Sequence, residues 1–435
     1  MGAFICDNLG LTGDGSLRFG GGDVAALAEK YGTPLYLMDE DRVRENCRVY
    51  RAAFDRLFRP GSLPLYACKA NCFRQLCRIA EEEGMGLDVV SAGELYTAQR
   101  AGCDLSRVYF HSNNKTPADV AFAMDRGVGW FVVDHLAEVA LIEAEAARRG
   151  VTQKLLLRLT PGIDTHTYDA VNTGKVDSKF GSAIETGQAE EITAFALSQP
   201  HLELTGFHCH VGSQVFSEDV FERSARIMLR FMAAVRNKYG FVARQLDLGG
   251  GYGVRYVASD PALDITKKLE DVARAVRAEC AALDYQEPAI LMEPGRSIVA
   301  DAGLTVYTVG SVKRIPGYKN YVSVDGGMSD DPRYALYGSQ YTCLSVKDPT
   351  AEGTLRCDLV GRCCESGDVI QPDILLPEDI QCGDLVAVCT TGAYNYSMAS
   401  NYNRIPRPPV VMLRNGADRV AVRRESLEDL VRLDE

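Results

Sequence analysis

Residues 63–71 read LPLYACKAN: an apolar run, Leu63 to Ala67, gives way to Cys68-Lys69-Ala70-Asn71, a lysine among small residues with no acidic neighbour. Lysine is mostly an exposed residue, so in isolation Lys69 reads as a loop charge. Its surroundings change that reading. A helix-like stretch, Phe73 to Glu83, follows it, and the same succession of apolar run, turn and helix then repeats. The later runs are GLDVVS (86–91), RVYFHS (107–112), WFVVD (130–134), KLLLRLT (154–160), LTGFHCHV (204–211), RQLDLGG (244–250) and AILMEPG (289–295). Among the intervening stretches, 118–125, 136–149 and 220–239 carry apolar residues at helical spacing. Near-continuous apolar strands alternating with helices imply a parallel sheet covered on both faces. Eight such units match an α/β fold of the (β/α)8, TIM-like barrel type in count and size, and the count favours it over a doubly wound open sheet.

Beyond residue 300 the texture changes to period-two segments such as LTVYTVGSVKRI, YVSVDGG and DLVAVCTT, which read as an antiparallel β domain, barrel or sandwich. The expected organisation is therefore a segment 1–35 packing with the C-terminal domain, a barrel over 36–300, and a β domain over 301–435 that closes on a short helix, RESLEDLVRLDE. The net charge of −12, from 59 acidic and 47 basic residues, argues against general nucleic-acid binding. Fourteen cysteines are scattered without a CxxC pair, no run of about 18 apolar residues occurs, and the start MGAFICDNLG lacks a signal-type stretch. Together these features lead us to expect a cytoplasmic protein with mostly buried free thiols.

In a barrel of this kind the chemistry sits at the carboxyl ends of the strands. Those ends supply Lys69, Asp88, His111, Asp134, Arg158, His210, Gly249 to Gly251, and Glu293 with Arg296. The glycines of Asp247-Leu-Gly-Gly-Gly-Tyr-Gly allow bare backbone N–H groups to approach an anion. Their spacing is neither GxGxxG nor a P-loop. Gly20 to Gly22 follow no apolar strand and read as a turn. His208 and His210 share a strand face, as a zinc pair would, yet no third and fourth ligand follows at a usual spacing. No metal is expected, and a flat imidazole against an aromatic ring, with Ser213 donating to a phosphate, suits the pair better. A carboxylate such as Glu293 at a barrel mouth keeps a heterocyclic nitrogen protonated. A lysine amine, an anion cradle and an acidic partner for a ring nitrogen are what pyridoxal 5'-phosphate requires.

The sequence resembles the alanine-racemase-like barrel group of pyridoxal-phosphate enzymes (fold type III), and within it the meso-diaminopimelate decarboxylase family, along nearly its whole length. The motifs that carry the resemblance are YACKAN, LDVVSAGELYTA, HSNNKT, NTGKVDSKFG (172–181), FHCHVGSQ, LDLGGGYG, MEPGRS, VDGGMSDDPRYALYG, CESGD (364–368), GAYNYSMASNYNRIPRP and RRESLEDLVRLD. The resemblance implies a decarboxylase that turns meso-2,6-diaminopimelate into L-lysine and carbon dioxide, with a second reading as a decarboxylase of ornithine, arginine, lysine or a carrier-linked amino acid. It also implies a homodimer with active sites at the interface.

Carried over by position, Lys69 resembles the cofactor-holding lysine and His210 the histidine stacked on the ring, with Asp88 among the cofactor contacts. Ser213 and Gly249, Gly250 and Gly251 resemble the phosphate contacts, and Glu293 the ring-nitrogen partner. Arg296, Arg333 and Tyr337 resemble substrate contacts. Cys364 stands where the proton donor stands and Glu365 where a substrate-amine contact does, both reaching across the interface, while Tyr394 resembles a residue closing over the cofactor in its own subunit. Two departures are Tyr334, where proline is usual, and the doubled Cys363-Cys364. A non-catalytic regulator would have no use for Lys69, Glu293 and Cys364 together, and a racemase none for CESGD. Ala67 and Ala70 are expected to leave room for the cofactor ring.

Overall fold

The computed structural model describes residues 4–163, 178–216 and 219–435. Residues 172–177 of NTGKVDSKFG thus lie outside the described residues. The chain divides into two compact units, one of Asn46–Gly253 with Leu263–Gly295, the other of Met1–Glu45, Val254–Ala262 and Arg296–Glu435.

The first unit holds eight parallel strands: β1 (Leu63–Ala67), β2 (Gly86–Val89), β3 (Val108–Phe110), β4 (Trp130–Val133), β5 (Gln153–Thr160), β6 (Leu202–His208), β7 (Gln245–Asp247) and β8 (Ala289–Met292). Each pairs with the next, and β8 returns to β1 through Leu291/Leu63 and Met292/Pro64, closing a barrel. All eight runs read from the sequence are strands. Local signals hold the intervening helices to their starts and stops. Ser91 caps Ala92–Ala101 by accepting from the Glu94 N–H, and Thr116 with Asp119 forms a capping box on Pro117–Asp125. Such a cap contributes about 1 kcal/mol. Gly102, Gly150 and Gly240 end three helices in the left-handed conformation that glycine adopts without strain.

Alternation along β1 decides which side chains face the strand-enclosed interior. Tyr66 lies beside Cys47 and Cys77 of the helical layer, so Leu65 and Ala67 face the other way. Leu65 accordingly packs with Tyr109, Val132, Leu156 and Leu291, each from a different strand and each almost fully buried. Tyr109 and Trp130 stack at 4.6 Å with nearly parallel rings.

In the second unit, strands run in the order Val369–Leu376, Leu355–Val360, Lys319–Val324, Gly303–Ile315, Leu35–Asp39, Val410–Arg414 and Ala417–Val422, with Leu385–Cys389 also paired to Gly303–Ile315. Two of these neighbours are parallel, Lys319–Val324 with Leu355–Val360 and Leu35–Asp39 with Val410–Arg414, so the sheet is mixed rather than purely antiparallel. The three short strands Leu9–Leu11, Leu17–Phe19 and Gly22–Asp23 form a small sheet of their own, with Gly20 and Gly21 at positive φ in its turn. Leu17 and Phe19 pack with Leu35, Leu37, Leu304 and Val411 in this unit's core.

Candidate active site

The carboxyl ends of the barrel strands bring Lys69, Asp88, His111, His208, Asp247 and Glu293 into one unit. Lys69 is exposed between buried Cys68 and Ala70, in the single 3-10 turn that ends β1. Ala67 pairs with Asp88 across β1 and β2, placing that buried carboxylate beside the lysine turn. Ala67 and Ala70 border the loop after β8. A Cβ on Gly295 would stand 2.9 Å from the Ala70 methyl and 3.0 Å from that of Ala67. Their small size therefore admits the loop after β8, which the Ala67 N–H also binds through Pro294 O at 3.1 Å.

Glu293 is the electrostatic centre. His111 Nε2 lies 2.7 Å from its Oε1 and His208 Nε2 3.3 Å. The two imidazoles meet edge to face at 4.9 Å. Burial alone would raise the Glu293 carboxyl, but its contacts with His111 and His208 hold it well below the usual carboxylate range. Its neighbour Asp247 moves the other way, pushed up by burial and by the Glu293 charge. The two carboxyls are thus pushed apart, with Glu293 the more acidic of the pair. Both imidazole nitrogens face the same carboxylate oxygen, Oε1. Burial also pushes the Asp88 carboxyl up, against the pull of His111 and Lys69.

The three glycines form a close-packed cradle. Gly249 and Gly251 adopt positive φ (66° and 116°). A Cβ on Gly249 would stand 2.7 Å from both Cys209 O and His210 Nδ1, and one on Gly250 or Gly251 would overlap the carbonyl oxygen of Glu293 or Gly212. The Gly250 N–H points at His210 Nδ1, 3.3 Å away, and Ser213 follows Gly212 in the same loop. Burial, then the charges of Lys69 and Arg158, keep the His210 imidazole well below its ordinary range and neutral. Gly250→Ala is expected to cost about 1–3 kcal/mol through overpacking against rigid backbone, seen as a lowered melting temperature of the cofactor-free protein.

Arg158 and Asp134, also on the strand-end list, approach no closer than 4.0 Å. Asp134 instead accepts the Gly181 N–H at 3.0 Å. Lys115 of HSNNKT is the structural counterpart of Lys69: it is buried, and its ammonium donates to Val132 O at 2.6 Å and to Ser112 O at 3.0 Å.

In the second unit, Arg296 and Arg333 are both buried and share one ring. Tyr394, at φ 67°, lies 4.8 Å from the Arg296 guanidinium and 5.1 Å from that of Arg333. Arg296 also donates to Tyr256 Oη at 2.7 Å. Arg333 opens the helix Arg333–Tyr337, its guanidinium 4.4 Å from the Tyr337 ring and its Nε buried without an acceptor. Cys364 and Glu365 are exposed. The Cys364 N–H donates to Asn403 Oδ1 at 2.7 Å, and Glu365 accepts the Gly367 N–H at 3.1 Å. Asp368 shapes this loop: its buried carboxylate accepts the N–H groups of Cys363 at 2.6 Å and Met328 at 2.5 Å.

Three contributors were not picked out as site residues by sequence reasoning. His111 was on the strand-end list and drew no role, Asp247 lies one turn ahead of the glycines, and His208 was weighed only as half of a zinc pair. His111, His208, Asp247 and Glu293 place one ligand-type atom each within 4.8 Å of the others. They come from four strands, so no linear spacing announces them.

The pattern of the family described as "Pyridoxal-dependent decarboxylase, pyridoxal binding domain" matches residues 40–300. The chain is 44% identical over 420 residues to the diaminopimelate decarboxylase of Bacillus subtilis (strain 168), covering 97% of this chain and 95% of that protein. The chain belongs to the diaminopimelate decarboxylase family. The Staphylococcus aureus member is 40% identical over 96% of this chain and 97% of that protein. Among solved structures, the family member from M. jannaschii in complex with L-lysine superposes with a TM-score of 0.90 at 31% identity, over 99% of this chain and 98% of that one. A lysine/ornithine decarboxylase from Vibrio vulnificus, complexed with putrescine, superposes with a TM-score of 0.76 at 26% identity, over 91% and 98%. The family's cofactor fits the barrel residues by their chemistry: a buried carboxylate, Glu293, held below its ordinary range, and an exposed amine, Lys69, on the same strand ends. No described helix is long and apolar enough to cross a membrane.

Proposed function

We propose that this chain is a pyridoxal-phosphate-dependent carboxy-lyase that converts meso-2,6-diaminopimelate to L-lysine and carbon dioxide, the last step of lysine biosynthesis. One observation carries the reading: a buried carboxylate held well below its ordinary range, on the same strand ends as an exposed lysine and a tight three-glycine turn. Lys69 offers the anchoring amine. Gly249, Gly250, Gly251 and Ser213 are assigned to the phosphate, neutral His210 to the ring face, and Asp88 to the lysine side of the ring. Glu293 holds the negative charge that keeps a ring nitrogen protonated. Bound there, the cofactor supplies an electron sink for the pair left when carbon dioxide departs.

In the second unit, Arg333, Tyr337 and Arg296 are assigned to the substrate's carboxylates, because a guanidinium accepts a carboxylate bidentately. Tyr394 holds both guanidinium groups at ring distance. Cys364 is assigned as proton donor and Glu365 as a contact for the distal amine, both offered to the partner copy in a homodimer. The exposure of both side chains supports that assignment. The fourteen free thiols support a cytoplasmic setting.

Product analysis tests the reaction: one L-lysine per carbon dioxide from meso-diaminopimelate, where carbon dioxide without lysine would refute it. Mixing inactive Lys69→Ala and Cys364→Ala subunits tests the shared site, since hybrids regain one intact site only if the thiol crosses. Arg333→Ala is expected to raise KM at least tenfold with a smaller change in kcat, since a site built for an ionic partner loses binding when that partner goes unmet. Steady-state kinetics with an unchanged kcat/KM would remove Arg333 from the substrate site. Decarboxylation of another amino acid is the second reading, favoured by the likeness to the lysine/ornithine decarboxylase.

A further inference from the structure

We propose that Cys68, Cys72 and Cys77 form a three-thiolate binding site for a soft metal cation, on the helix side of the turn that carries Lys69. The motif C-x3-C-x4-C runs from the 3-10 turn after β1 into the helix Arg74–Glu82. This turn and the first helical turns bring the three Sγ atoms within 4.8 Å of one another. Thiolates around a tetrahedral ion at about 2.3 Å stand roughly 3.8 Å apart, so a modest closure completes the site. Cys68 and Cys77 are fully buried, whereas Cys72 is partly exposed and gives an ion its way in.

The cluster is on the helix side of the strand. It lies beside outward-facing Tyr66. Three sulfurs with no imidazole select soft ions, such as Cu(I), Zn(II) or Cd(II), over oxygen-seeking Mg²⁺ or Ca²⁺. On binding a divalent ion, three metal–sulfur bonds form and three S–H bonds break. The three protons pass to solvent, and no electron is transferred.

The test loads reduced holoenzyme, under argon, with one equivalent of Cd²⁺ and counts its sulfur neighbours by X-ray absorption at the cadmium edge. Three sulfurs are expected in the parent and in Cys382→Ser, whose thiol is exposed and elsewhere. Two sulfurs and at least tenfold weaker Cd²⁺ binding are expected in Cys72→Ser and Cys77→Ser. Two sulfurs or fewer in the parent, or three that survive both substitutions, would overturn the proposal. The parent measurement decides the point even if a variant fails to fold.

Discussion

Lys69→Ala is expected to lower kcat by roughly 10⁴-fold, the scale seen when a covalent-acting group is removed from a site that is otherwise intact, and to abolish the visible absorbance of the lysine-linked cofactor. The loss falls on chemistry rather than on folding. Lys69 is exposed, its neighbours Cys68 and Ala70 are buried, and the turn they form is held by the backbone. A substitution at such a position shifts stability by about 0.5 kcal/mol or less, so thermal melting of the cofactor-free variant should match the parent. Lys69→Arg should not rescue activity, because a guanidinium stays charged and offers no free amine. Borohydride trapping followed by peptide mapping checks the assignment directly. Label on any other lysine would displace Lys69 from its role.

Glu293→Gln is expected to lower kcat by roughly 10²–10³-fold, the range for losing one preorganised electrostatic partner, with cofactor still bound. The glutamine keeps the shape of the side chain and removes its charge. That charge is secured by its surroundings, since His111 and His208 hold Glu293 ionised while burial and Glu293 itself keep the Asp247 carboxyl raised. In the variant, Asp247 loses the neighbour that raised it. Its Oδ1 accepts the Gly249 N–H at 2.8 Å, while its Oδ2 is buried without a donor. Kinetics at saturating cofactor separate the two effects: a variant within threefold of the parent would mean that the ring nitrogen does not rely on Glu293.

Much of the barrel was legible because its strands are buried on both faces and so appear as uninterrupted apolar runs, with stretches of helical spacing between them. The strand-end rule then delivered Lys69, Asp88, His210 and Glu293 without any contact information. It could not deliver the roles of His111 and His208, because these depend on which strands neighbour β8 across the barrel mouth. The packing of Ala67 and Ala70 against Gly295 was hidden for a related reason: Gly295 lies more than two hundred residues away. The parallel pairs of the second unit were also hidden. Period-two alternation reveals a half-buried strand but carries no information on the direction of its neighbour. Asp368 sat in plain view at the end of CESGD, and its work on the backbone of Cys363 and Met328 became visible only with the loop folded.

The most direct test of the central claim is a side-by-side measurement of kcat/KM for carbon dioxide release by the holoenzyme from meso-diaminopimelate, L-ornithine, L-arginine and L-lysine. A preference for meso-diaminopimelate of at least 10³-fold is predicted, in line with the rejection of analogues that lack a group the site is built to bind. Equal or faster release from ornithine, arginine or lysine would contradict the account.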